Sequence, residues 1–149
     1  MKTSKVIVLY GSGNIGKTTT LCMVIEMLDR AELSYSRKDV RTTCHYNGKI
    51  VDITTWGDNK SELLENIKYF REHYCDIAIT AARSYGGTHD VIREYAKEIG
   101  LDVEKDIVWV KKEVSENREG NKMEEINKND ACRIVKEIIG DKKYIDFNL

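Results

Sequence analysis

The sequence predicts an α/β protein, a three-layer α/β/α sandwich around a mainly parallel five-stranded sheet with one antiparallel edge strand. Three observations carry that prediction. Short β-branched apolar runs alternate with longer segments of helical periodicity, as they do in chains of βαβ units. The first run, Lys5 to Tyr10, is almost continuously apolar, as a strand covered on both faces must be. Two further runs are joined only by Asn47-Gly48, a two-residue turn signal that makes one strand antiparallel to its neighbour.

The elements follow in order. Lys5 to Tyr10 is the first strand, and it runs into the glycine loop Gly11-Ser12-Gly13-Asn14-Ile15-Gly16. From Lys17 to about Ala31, Leu21, Val24, Ile25 and Leu28 recur at helical spacing. A polar stretch, Glu32 to Asp39, separates this helix from the hairpin strands Val40 to Tyr46 and Lys49 to Thr55. Asp58 to Glu72 reads as a loop and helix with Leu63, Leu64, Ile67 and Phe70 on one stripe. Cys75 to Ala82 is a second buried strand, and Thr88 to Ile99 a helix closed by Gly100, a residue suited to a left-handed C-terminal cap. Ile107 to Val110 is the last strand. A polar segment, Lys111 to Glu125, leads to a final helix from about Ile126 to Ile139, with Ile134, Val135 and Ile138 inward and Gly140 at its end.

Length and composition set bounds on function. The chain has 149 residues, 41% hydrophobic and 33% charged, with a net charge of −1, which fits one globular domain over 1–149. No excess of basic charge, arginine-rich face or aromatic-basic repeat points to nucleic acid or an anionic membrane. Cys22, Cys44, Cys75 and Cys132 form no CxxC pair, so zinc and thioredoxin-like chemistry are not indicated. Cys22, Cys44 and Cys132 sit in apolar or half-buried patterns that read as reduced core or surface thiols. The N-terminal apolar run is too short for a secretory core, and nothing approaches a membrane span, so the expected location is cytoplasmic.

The chemistry concentrates in Gly11-Ser12-Gly13-Asn14-Ile15-Gly16-Lys17-Thr18, which has the spacing Gly-x-x-x-x-Gly-Lys-Thr between an apolar strand and a helix. Such a loop wraps phosphate with backbone N–H groups. It needs glycine where side chains would block approach or where φ is positive, and the helix N-terminus adds partial positive charge. On these residues the chain resembles the P-loop NTPase superfamily from Lys5 to about Arg30, and only architecturally beyond. The resemblance implies ATP and Mg2+ as cofactors. It implies that Lys17 contacts the β and γ phosphates, that Thr18 takes a magnesium position, and that Thr19 belongs to the same binding turn. Gly16-Lys17-Thr18-Thr19-Thr20 is similar to the ParA and signal-recognition branches, but Ser12 stands where ParA-like ATPases carry a second lysine. The hairpin after the first helix looks like that of small GTPases. However, Thr54-Thr55-Trp56-Gly57 stands in place of Asp-x-x-Gly, and Thr80-Ala81-Ala82-Arg83 in place of Asn-Lys-x-Asp, so ATP is favoured over GTP.

Outside the loop, two acids compete for the second magnesium position, which the resemblance places at the end of a strand beside the first. Asp52 follows Ile50-Val51, and Asp58 follows Gly57 at a strand's C-terminal edge, where α/β sheets bind ligands. Asp58 is the preferred one; its alternative role is to cap the helix through Ser61 to Phe70. Arg83, before Ser84-Tyr85-Gly86-Gly87-Thr88, is a candidate clamp for a γ-phosphate or a second substrate's anion, the alternative being a surface arginine beside a turn. Trp56 is a candidate base platform, with packing on the first helix the stronger reading, and Trp109 is expected in the core. His45 and His89 have no relay partner in the sequence. Lys111 to Lys122 resembles the lid of small phosphoryl-transfer kinases, although a solvated loop reads the same way.

Three functions remain open. The leading one is a slow ATP hydrolase using Lys17, Thr18, Asp58 or Asp52, and Arg83. The second is a kinase for a small-molecule acceptor of nucleoside or nucleotide type. The third is a nucleotide-controlled switch for a protein partner, with Trp56 to Lys60 as the moving segment.

Overall fold

The computed structural model describes residues 3–29, 38–114 and 120–140. Its elements are β1 (Lys5–Tyr10), α1 (Lys17–Asp29), β2 (Arg41–Tyr46), β3 (Lys49–Thr54), α2 (Lys60–His73), β4 (Ile77–Ala82), α3 (Gly87–Glu98), β5 (Ile107–Lys111) and α4 (Gly120–Ile139). The five strands form one sheet in the order β2-β3-β4-β1-β5. All neighbours are parallel except β2, which lies antiparallel to β3 at the edge. Asn47 and Gly48 make that turn with φ of 48° and 76°, the positive values a two-residue hairpin demands.

β1 shows why its sequence has no polar alternation. Ile7 and Leu9 face α1 and α4, packing with Leu21, Val24, Ala131 and Ile134. Val6 and Val8 face α2 and α3, packing with Leu63, Ile67, Val91 and Ile92. Each of the four strand residues is at most 1% exposed, and burying a side chain of that size contributes about 1.5–3 kcal/mol. Helices therefore cover both faces, and the C-terminal ends of the four parallel strands, β1, β3, β4 and β5, gather with their loops at one edge.

Several expected boundaries shift. α2 starts at Lys60, and its cap is Asn59, whose side chain accepts from the Glu62 N–H at 2.9 Å. Asp58 is thus not the cap; its own N–H donates to Glu62 Oε1 at 2.9 Å, leaving the carboxylate to other partners. Leu64, expected on the inner stripe, is 53% exposed, and Asn66 takes a buried place instead. The end expected for the first helix at Ala31, the stretch from Glu32 as far as residue 37, and residues 115–119 lie outside the described residues. α4 begins six residues before the expected Ile126 because Lys122, Glu124 and Glu125 form the solvated side of its early turns. Gly100 and Gly140 do close α3 and α4, with φ of 84° and 85°.

Candidate functional site

The loop from Gly11 to Gly16 joins the C-terminal end of β1 to α1. Its left-handed positions are Asn14 (φ 58°) and Gly16 (φ 96°), asparagine being a side chain that tolerates this region. Gly11 and Gly13 are crowded by the ends of neighbouring side chains. A Cβ on Gly11 would stand 2.6 Å from Ile15 Cδ1, and one on Gly13 would stand 2.8 Å from Arg83 Nη1. Gly16 meets both demands, since a Cβ there would also stand 2.6 Å from Asn127 Oδ1 on α4. The α1 ladder starts with Thr20 N–H donating to Gly16 O at 2.9 Å, so the N–H groups of Lys17, Thr18 and Thr19 precede it.

Lys17 Nζ donates to Gly11 O at 2.7 Å and to Ala82 O at 3.0 Å, spanning the ends of β1 and β4. Burial, the largest influence, lowers the pKa of its ammonium; Asp58 opposes this, Arg83 adds to it and Glu62 opposes it. Asp58 Oδ1 stands 3.8 Å from Lys17 Nζ and 3.6 Å from Arg83 Nε, which also donates to Asp58 O at 3.1 Å. Arg83 therefore holds its guanidinium beside both Gly13 and Asp58. Its backbone is fixed by its N–H donating to Thr88 Oγ1 at 3.2 Å and by its carbonyl accepting from His89 Nε2 at 2.6 Å.

Thr18 has a different partner. Its hydroxyl donates to Asp39 Oδ1 at 2.8 Å, and the same oxygen accepts from the Thr55 hydroxyl at 2.9 Å. Asp39 is absent from the candidates the sequence offered, where it only ends a polar stretch. Its position depends on β2 returning beside α1, which no local spacing signals.

Asp52 is not brought to this edge. Its β4 partner is Ala78, level with Val6, four residues before the end of β1 and so roughly 13 Å from it at about 3.3 Å per residue. The strand bearing it is also not beside β1, because β4 intervenes. Asp52 is fully buried on the α2 side, where its Oδ1 accepts from Thr43 at 2.7 Å. Burial raises its pKa, and the Thr43 hydrogen bond opposes the rise.

The remaining candidates are also placed. Trp56 carries the Arg41 guanidinium 4.2 Å above its ring, while its carbonyl accepts from Asn66 Nδ2 at 2.8 Å. One ring face is thus taken by Arg41. Trp109 is half-buried rather than core, stacked on His89 with ring centroids 4.5 Å apart. His45 is exposed on β2. Lys111 to Lys122 is not one loop: Lys111 ends β5, and residues 120–122 open α4. Lys112 is fully buried in an ion pair with Asp130 Oδ2 at 2.8 Å. That pairing removes Lys112 from any lid, and its Cβ lies where it would be 3.3 Å from a Cβ on Gly11. A cavity of about 320 Å3, lined by Thr3, Phe70, Tyr74 and Tyr95 among others, opens at the opposite edge of the sheet, away from Lys17.

The four cysteines are free, with Cys22, Cys44 and Cys75 buried, and burial pushes the Cys44 and Cys75 thiols up to about 12. No described helix is long and apolar enough to cross a membrane. Among the described residues no three His, Cys, Asp or Glu side chains gather as a metal site. A magnesium ion shared with phosphates would need only one or two protein groups, and the Thr18 hydroxyl and Asp58 carboxylate are hard oxygen donors of the kind it takes. No family model, curated protein or solved structure matches this chain.

Proposed function

We propose that this chain is a P-loop nucleotide-binding protein that hydrolyses ATP with magnesium. The observation that carries this reading is the meeting of Lys17, Asp58 and Arg83 beside Gly13, at the mouth of a loop whose Gly11 and Gly13 are closely approached by the side chains of Ile15 and Arg83. In it, backbone N–H groups from Gly13 to Thr19 bind the phosphates, together with the N-terminal charge of α1. Lys17 exchanges its carbonyl partners for β and γ oxygens, and Arg83 faces the γ-phosphoryl group. Bound magnesium supplies neutralisation of phosphate charge on the side of Thr18. Little covalent work falls to the protein, because phosphoryl transfer is governed by positioning and electrostatics. ATP is preferred to GTP because Thr54-Thr55-Trp56-Gly57 and Thr80-Ala81-Ala82-Arg83 stand at the positions where small GTPases carry Asp-x-x-Gly and Asn-Lys-x-Asp.

A second reading is favoured by the position of Asp58. Its carboxylate lies near two cations, Lys17 and Arg83, so a phosphate that took those cations as partners would displace it and move the segment Trp56 to Lys60. The protein is then a switch with low turnover and a protein partner. The test is phosphate release from ATP and GTP with magnesium, by the parent and by Lys17→Ala, with and without nucleoside monophosphates. Free phosphate from ATP that disappears in Lys17→Ala is the expected result. Magnesium-ATP binding by Lys17→Ala as tight as in the parent would remove the loop as the site. ADP formed only with an acceptor present would identify a kinase, and tight binding without turnover a switch.

A further inference from the structure

We propose that Asp39 is a positioning residue that orients the Thr18 hydroxyl toward magnesium, a role that rests on the nucleotide-binding reading above. Hydrogen-bond direction argues first. An ionised carboxylate only accepts, so the 2.8 Å contact requires Thr18 Oγ1 to donate to Asp39. A hydroxyl whose hydrogen is committed there keeps its lone pairs for another ligand, the state a metal-binding hydroxyl needs. The carboxylate raises the basicity of that oxygen, as outer-shell acids do for metal ligands.

The acid is also held in place. Val40 N–H donates to Thr55 Oγ1 at 2.9 Å, which leaves the Thr55 hydrogen for Asp39 Oδ1 at 2.9 Å. Thr55 N–H in turn donates to Val40 O at 3.0 Å, and Thr55 is 2% exposed. Asp39 thus hangs from a buried crossing of the chain just beyond β2 and β3. Both hydroxyls land on Oδ1, so Oδ2 takes no part in this chain of bonds. The other two acids are engaged elsewhere: Asp58 lies between Lys17 and Arg83, and Asp52 lies within the sheet. Consecutive residues Lys17 and Thr18 therefore each have their own carboxylate.

The test is equilibrium binding of a non-hydrolysable ATP analogue in EDTA and in magnesium, with Mn2+ affinity of the ternary complex measured by electron paramagnetic resonance. The variants are Asp39→Ala, Asp39→Asn, Asp39→Glu and Lys17→Ala. Asp39→Ala and Asp39→Asn are expected to bind nucleotide as the parent does in EDTA. They are expected to lose Mn2+ affinity by about 10- to 100-fold, the usual cost of removing an outer-shell partner, with partial recovery in Asp39→Glu. Unchanged Mn2+ affinity in both variants, or an equal loss in EDTA and in magnesium, would overturn the role of Asp39 while leaving the loop reading intact. Parent-like binding by Lys17→Ala, or no nucleotide binding by the parent, would overturn the loop reading and this inference with it.

Discussion

Gly57 lies so close to the backbone of Ala81 that a Cβ on it would collide with the Ala81 carbonyl carbon and oxygen. Backbone cannot yield as the end of a long side chain can. The next residue, Asp58, carries the carboxylate that meets Lys17 and Arg83. Gly57→Ala should cost about 1–3 kcal/mol, the range for overpacked sites, and chemical denaturation should show it as a lowered midpoint. Gly87→Ala is the control, since its nearest side-chain neighbour, Lys60 Cβ, would be 4.0 Å from the new methyl group. Equal stability of the two variants would mean that the β4 end relaxes freely.

Arg83 should contribute to rate more than to nucleotide affinity. Its guanidinium lies against Gly13, the side chain is 43% exposed, and among the described residues its charged partner is Asp58, so it is able to follow a developing charge. An arginine that stabilises the transferring group is worth about 10³–10⁵ in turnover in other phosphoryl-transfer proteins. Arg83→Ala should therefore lower kcat for ATP by at least about 100-fold while the dissociation constant of a non-hydrolysable analogue changes only a few-fold. Arg83→Lys should recover little, because one ammonium cannot reproduce the guanidinium fork. Loss of binding in proportion to rate would instead make Arg83 a ground-state phosphate clamp.

The order and type of elements were legible because local signals agree with the tertiary result. The apolar run of β1, the Asn47-Gly48 turn and the caps at Gly100 and Gly140 each specify a boundary from within a few residues. The glycine loop was legible for the same reason. What escaped depends on chain segments meeting across the fold: Asp39 with Thr18, Asn127 against Gly16, and Lys112 with Asp130. One signal for the last two was present. Asn127 and Asp130 lie on the stripe of α4 that also carries Ala131, Ile134 and Ile138, and a polar side chain on a buried stripe requires a partner. Asp39 had no such mark, because an exposed acid beside a polar stretch looks like any solvated residue.

Asp52 offers a test of placement through pH. Burial raises its folded pKa above the usual 3.8, so between that value and the raised one the folded chain holds a proton that the unfolded chain has lost. Stability from this group is therefore full below 3.8 and declines as pH rises through the raised folded value. Asp52→Asn keeps an oxygen for the Thr43 hydroxyl and has no charge to bury. The parent should lose stability relative to Asp52→Asn as pH rises through that window, read from thermal midpoints across the pH series. ATP binding should be the same in both proteins, and a selective loss of magnesium dependence in Asp52→Asn would return Asp52 to the site.

The Lys112–Asp130 pair ties α4 to the strand end that backs the glycine loop. Asp130 Oδ2 also accepts from the Glu113 N–H at 3.0 Å, and its Oδ1 from Arg133 Nη1 at 3.0 Å, so one buried carboxylate serves three donors. Removing one member of a buried pair strands the other, at a typical cost of about 3–5 kcal/mol, whereas replacing both with apolar groups is often neutral. Asp130→Leu should therefore be strongly destabilised, and Lys112→Met combined with Asp130→Leu should regain most of that loss in denaturant titrations. Nucleotide affinity gives the second readout. If the pair only fills the core, the double variant should bind ATP as the parent does. If the ionic contact itself holds Gly11 and Gly16 in shape through β5 and α4, affinity should stay low even where stability returns.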